Sequence, residues 1–230
     1  MKFETSADVI ELEIDGRKYT KVNYTRKEEL LNCVTHGVGT LAYFCCMVYL
    51  MTISYDARTI IASLITCLSA ITVYGVSTVY HAVQDTRKKY FWRKIDHSDI
   101  PFVVIGCSAS MCLCLSTHFF NYVALGLSVF LAVTSIIMNA VSVDKFKVPT
   151  MIINFAIGII LFAAFMINFK LISQTVKYLY LSGAILCVVG SMIFGIKKRY
   201  MHSVFHVFVL VGTLCFYAAA VLVIQSYAGL

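Results

Sequence analysis

Apolar residues run almost without interruption through positions 30–54, 59–81, 97–116, 119–141, 148–169, 176–196 and 203–226, with short polar joints between. Each run has about the 17 to 25 residues that an α-helix needs to cross a bilayer. The apolar character is continuous rather than alternating, so membrane strands, which must face lipid and lumen by turns, are excluded. The pattern predicts an all-α membrane protein, a seven-transmembrane helix bundle occupying residues 30–230. Before it, Val9–Ile14 and Arg17–Val22 alternate apolar and polar residues around Asp15-Gly16, the short-range signature of a β-hairpin. A small hairpin within a 1–29 segment is therefore expected, with an unstructured tail as the alternative.

The joints are short, so consecutive helices should be antiparallel neighbours. The longest, 82–95, carries Arg87, Lys88, Lys89, Arg93 and Lys94 among Tyr90, Phe91 and Trp92, a mixture that suits a headgroup anchor. Pro101 and Pro149 both read as first-turn prolines. Cationic joints stay in the cytoplasm. The N-terminal segment and the joints after the second, fourth and sixth runs hold 16 of the 19 lysines and arginines, which predicts a cytoplasmic N-terminus and an external C-terminus.

Composition agrees with a membrane protein: 60% of residues are hydrophobic, 13% are charged, and the mean hydropathy is +0.81. The net charge of +7 reads as a topology signal and an attraction to anionic lipids, not as nucleic-acid binding. No cleavable signal sequence is visible in the charged first 29 residues, so the first helix serves for insertion. All nine cysteines fall within the apolar runs without CxxC spacing and read as small packing residues.

Against this background the polar residues inside or beside the runs stand out. His202 and His206 are four apart at the start of the seventh run and share one helix face. His81 ends the second run and Asp96 precedes the third, which the predicted topology places on the same side of the membrane. Two imidazoles from one helix and a third from another can hold a zinc ion and leave one position open, as catalytic zinc sites do. Ser77, one turn before His81, shares its face and could line the same cavity. Histidines that merely extend the basic anchor Lys197-Lys198-Arg199 are the plainer alternative.

The stretches Ser77-Thr-Val-Tyr-His81, Lys94-Ile-Asp96-His97 and His202-Ser-Val-Phe-His206, with Asn32-Cys-Val-Thr-His36-Gly in the first run, give the chain a resemblance. It resembles the haemolysin III group of the progestin and adipoQ receptor family, more distantly related to adiponectin receptors and alkaline ceramidases. The resemblance spans all seven runs. It implies a zinc cofactor held by His81, His202 and His206, a water held by Asp96, and Ser77 in contact with substrate or supporting the site. His36 and His97 would make supporting hydrogen bonds, and His118 in an outer joint would lie apart from the site. Gly106 to Ser110 departs from the Thr-Tyr-Thr-Pro-like run of many bacterial relatives, and Phe216 stands where a histidine is common, so no substrate is carried over.

Three functions follow as expectations. The first is a zinc-dependent hydrolase of a lipid amide or ester, with Asp96 and Ser77 as the catalytic pair. The second is a non-enzymatic protein of membrane homeostasis or sensing, with structural zinc. The third is a cytolysin, as the family's name suggests. Membrane lipids are the expected partners and the cell membrane, in the manner of a bacterial inner-membrane protein, the expected location. A retinal protein is excluded because the seventh run contains no lysine for a Schiff base.

Overall fold

A capping box starts the first helix one turn earlier than hydrophobicity predicts. Thr25 accepts from the Glu28 amide at 3.3 Å while the Glu28 carboxylate takes the Thr25 amide at 2.9 Å. The computed structural model describes residues 9–14, 17–115 and 119–227. Within them, two strands, β1 (Val9–Ile14) and β2 (Arg17–Val22), precede eight helices. These are α1 (Arg26–Ile53), α2 (Ala57–Ala82), α3 (Thr86–Ser98), α4 (Ile100–Cys114), α5 (Phe119–Val141), α6 (Val143–Ile167), α7 (Gln174–Phe194) and α8 (Met201–Tyr227). β1 and β2 pair antiparallel from Val9↔Val22 to Ile14↔Arg17, the expected hairpin register. Its turn, Asp15-Gly16, and His118 lie outside the described residues.

Among the described residues seven helical units are long and apolar enough to cross a membrane, α3 and α4 together forming the third, Thr86–Cys114. The bundle predicted from the apolar runs is therefore observed, with one correction to its third member. The basic joint after the second run is not a loop but α3. Asp85 caps it, accepting the Lys88 amide at 2.8 Å. Two of its cations point inward rather than to headgroups. Buried Lys89 donates to the carbonyls of Tyr80 and Val83 at 3.0 and 3.1 Å, and Arg93 grips Asp144 of α6 with two bonds of 2.8 and 3.2 Å. Hydropathy could not find α3, because the helix is too charged to register as an apolar run, while two of those charges are spent on internal partners.

Pro101 explains why α3 and α4 are separate helices. It stands in the first turn of α4, as expected, and has no amide hydrogen for the carbonyl of His97, four residues earlier. That carbonyl is taken instead by Asn139 of α5 at 2.9 Å. Pro149 corrects a second expectation: it lies inside α6, because Ser142 caps that helix ahead of it by accepting the Lys145 amide at 3.3 Å.

α2 and α4 form the middle of the bundle. α1, α3 and α8 pack against α2, while α5, α6 and α8 pack against α4, and α7 lies on α8. Lipid gives apolar helices no reason to associate, so close backbone approach and satisfied polar pairs hold them. Tyr74 of α2 meets Thr213 of α8 at 2.6 Å, Thr66 donates to the Gly106 carbonyl of α4 at 3.0 Å, Ser108 meets Tyr180, and Asn121 meets Asn168 at 2.9 Å. All nine cysteines are free and lie in helices.

The α7–α8 crossing depends on two glycines. A Cβ at Gly183 would stand 2.8 Å from the Gly212 carbonyl oxygen and 2.9 Å from the Phe216 ring. Gly183→Val should therefore force the helices apart and destabilise the bundle by about 1 to 3 kcal/mol, lowering its thermal midpoint in detergent. An unchanged midpoint would show that the crossing is slack.

Candidate metal centre

The last turn of α2 and the first turn of α8 reach the same end of the bundle from opposite chain directions. His81, on α2, is almost wholly buried, and so is His206, on α8. His202, one turn before His206, stands between them. Its Nε2 lies 3.2 Å from Nε2 of His81 and 3.0 Å from Nε2 of His206. One ligand atom from each of the three falls within 4.8 Å of the other two. An ion bound tetrahedrally at about 2.0–2.1 Å needs nitrogens roughly 3.3–3.4 Å apart. The spacing found is close to that.

The far side of each ring shows which nitrogen holds the proton. Nδ1 of His81 meets Glu29 Oε2 at 2.7 Å, and a carboxylate only accepts, so Nδ1 carries the hydrogen. The other Glu29 oxygen pairs with Lys89 at 2.8 Å. Nδ1 of His206 meets the Thr35 hydroxyl at 3.1 Å, and that hydroxyl spends its own proton on the Leu31 and Asn32 carbonyls at 2.9 and 3.0 Å. Thr35 is then the acceptor. With the hydrogen on Nδ1, Nε2 of each ring is the atom left to face His202 and the one available to bind a metal ion. The residues fit a metal ion by donor type and by the Nε2 spacing about His202. The identity of the metal does not follow from geometry alone.

α1 supplies most of what supports this group. Beyond Glu29 and Thr35, Asn32 accepts from Ser203 at 2.5 Å. Glu28 accepts the Tyr200 amide at 3.0 Å. Tyr200 has φ of 64°, an uncommon conformation for a side chain of its size, and the Glu28 bond helps hold it as the chain turns into α8. Above the triad, Tyr24 stacks on His202 with ring centres 5.1 Å apart. Burial, with Glu29 and Glu28 close by, pushes the Tyr24 phenol up from its ordinary value, so it stays a neutral cover.

The structure brings His81, His202 and His206 together as the sequence predicted. The Asp96 carboxylate lies within electrostatic range of His81 and near buried Ser77. His36 departs from expectation. Its ring packs 3.5 Å from that of His206, centre to centre, yet both its nitrogens are buried without a hydrogen-bond partner in the protein. His97 contributes its backbone carbonyl, the group freed by Pro101. Glu29, Thr35, Lys89 and Tyr24 were not anticipated. The capping box at Thr25 and Glu28 was the available signal, since starting α1 there puts Glu29, Asn32 and His36 at helical spacing on one face.

Seven membrane-length helices with three converging imidazoles at one end define a multi-pass membrane protein with a site that could hold a metal ion. The chain belongs to the family described as Haemolysin-III related, whose sequence profile matches residues 24–217. The match includes every residue of the histidine site. The chain is 26% identical over 194 residues to a "Hemolysin-3 homolog" of Bacillus subtilis (strain 168), covering 83% of this chain and 91% of that protein. It is 24% identical over 200 residues to "Hemolysin-3" of Bacillus cereus, covering 85% and 91% respectively. The helices and this kinship fit a protein of the cell membrane, of the bacterial inner-membrane kind.

Glu29 both orients His81 and fixes its proton. Partners of this type are worth roughly 10- to 100-fold in metal affinity. A metal ion held by the triad should therefore be released from Glu29→Gln to a competing chelator at roughly 10- to 100-fold lower chelator concentration than from the wild type. Equal retention would show that the carboxylate does not serve the imidazole.

Proposed function

We propose that this protein is a zinc-dependent hydrolase of a lipid amide or ester, working at the bundle end that carries the histidines. The observation that carries the reading is the convergence of three Nε2 atoms beside a carboxylate that is not one of their hydrogen-bond partners. His81, His202 and His206 would hold zinc, which when bound brings the pKa of a water molecule toward 7 and polarises a carbonyl. Asp96 would orient that water and take its proton on a carboxylate oxygen. Ser77, one turn before His81 on the same helix face, would support the site or contact the substrate. If the charge bias of the joints sets the orientation, the site faces the cytoplasmic leaflet, from which a lipid substrate would enter.

A second reading rests on a different observation. The site ties α1, α2 and α8 through Glu29, Thr35, His81 and His206, and Lys89 adds α3. Zinc in this reading staples helices in a protein that senses or regulates the membrane. It predicts that metal removal lowers thermal stability and that no lipid is turned over.

The two part in one assay. Wild type and Asp96→Asn, each zinc-loaded in bilayer discs, are incubated with a panel of ceramides, other lipid amides and lipid esters. Fatty-acid release by wild type, reduced at least 100-fold in Asp96→Asn, is the outcome expected of the hydrolase. No release from any lipid by either protein leaves the structural role.

A further inference from the structure

Asn32 and His36 are one turn apart on the face of α1 that meets α8, and both hold polar atoms without partners. Asn32 is fully enclosed; its oxygen accepts from Ser203, but its amide nitrogen has no acceptor. His36 is 5% exposed, and neither ring nitrogen is bonded. The neighbours that might have served are engaged elsewhere. The Tyr74 hydroxyl, on the ring that meets His36 edge-on, is taken by Thr213, and the His206 Nδ1 that lies nearby is taken by Thr35. Buried polar groups are nearly always paired, so two unpaired ones on adjacent turns indicate an absent partner. Their position says where it sits, because the His36 ring touches His206, a member of the triad.

The unused groups are chiefly donors. Asn32 offers an N–H, and a neutral His36 offers another. Two donors beside a metal-binding group match a single oxygen on which negative charge develops.

We propose that Asn32 and His36 hold the carbonyl oxygen of the substrate, and hold it more strongly as the carbonyl becomes tetrahedral. The assignment rests on the hydrolase reading and adds to it the contacts that recognise the reacting group. It places the scissile carbonyl beside the α1 face that carries Asn32 and His36, next to His206.

The test uses a long-chain alkyl phosphinate lipid, whose stable tetrahedral oxyanion imitates the oxygen in question and which is not hydrolysed. Its dissociation constant is measured in bilayer discs for zinc-loaded wild type, His36→Leu, His36→Gln and Asn32→Leu, together with zinc content. The expected result is binding by wild type, binding about tenfold weaker in His36→Leu and in Asn32→Leu at unchanged zinc content, and partial recovery in His36→Gln, which keeps a donor. Equal binding by all four proteins overturns the assignment and leaves the hydrolase reading standing. Equal weakness of His36→Gln and His36→Leu also overturns it, since the donor would not be what matters. Loss of zinc from either Leu variant overturns it in favour of a role in holding the metal. No phosphinate binding by wild type sinks the assignment and the hydrolase reading together.

Discussion

Three imidazoles whose Nε2 atoms meet about 3 Å apart at His202 must be held in place, and much of the protein around His81, His202 and His206 serves to do so. Glu29 and Thr35 hold the outer nitrogens, which fixes the tautomers and turns the inner nitrogens toward a common point. Without those two acceptors the rings could rotate or exchange protons, and the three nitrogens would no longer share one point. The design therefore joins fold and chemistry: helices α1, α2 and α8 meet at the depth where the ion would lie.

The same group explains the charges buried beside it. Glu29 is shared between an imidazole and the Lys89 ammonium, both almost fully enclosed. Such a pair gains little over apolar packing, but losing one member leaves a buried charge uncompensated. Lys89 also closes the end of α2 by donating to two of its carbonyls, so α3 is held across the end of the bundle. Arg93 continues that hold to Asp144 on α6. A helix that hydropathy reads as a surface loop thus forms part of the structural frame of the site.

The extent of the fold was legible because lipid imposes a simple rule: each crossing must be a long apolar helix, and seven runs announce themselves. The predicted end of the fourth run at Val141 coincides with the end of α5, since polar residues follow it and its interior is apolar. The hairpin strands were legible because both alternate apolar and polar residues on either side of a short polar joint. What hydropathy could not report was any element whose polarity is satisfied internally. α3 was lost for that reason, and so was the first turn of α1 with Glu28 and Glu29. The metal group shows the same divide. Spacing on one helix links His202 to His206, and helix ends bring in His81, but nothing in one sequence says which carboxylate stands behind which ring. Glu29 is separated from His81 by a whole membrane crossing and its return. Pro149 misled because its position was judged from hydropathy, whereas Ser142 begins the helix.

The central claim is that three histidine Nε2 atoms bind one metal ion. Metal analysis and zinc-edge X-ray absorption on protein purified in detergent without added chelator test it directly. About one zinc per chain, with nitrogen or oxygen neighbours at about 2.0–2.1 Å and no sulfur in the first sphere, is the result predicted. Protein without metal that also fails to take up zinc, or zinc surrounded by cysteine sulfur at about 2.3 Å, would contradict it.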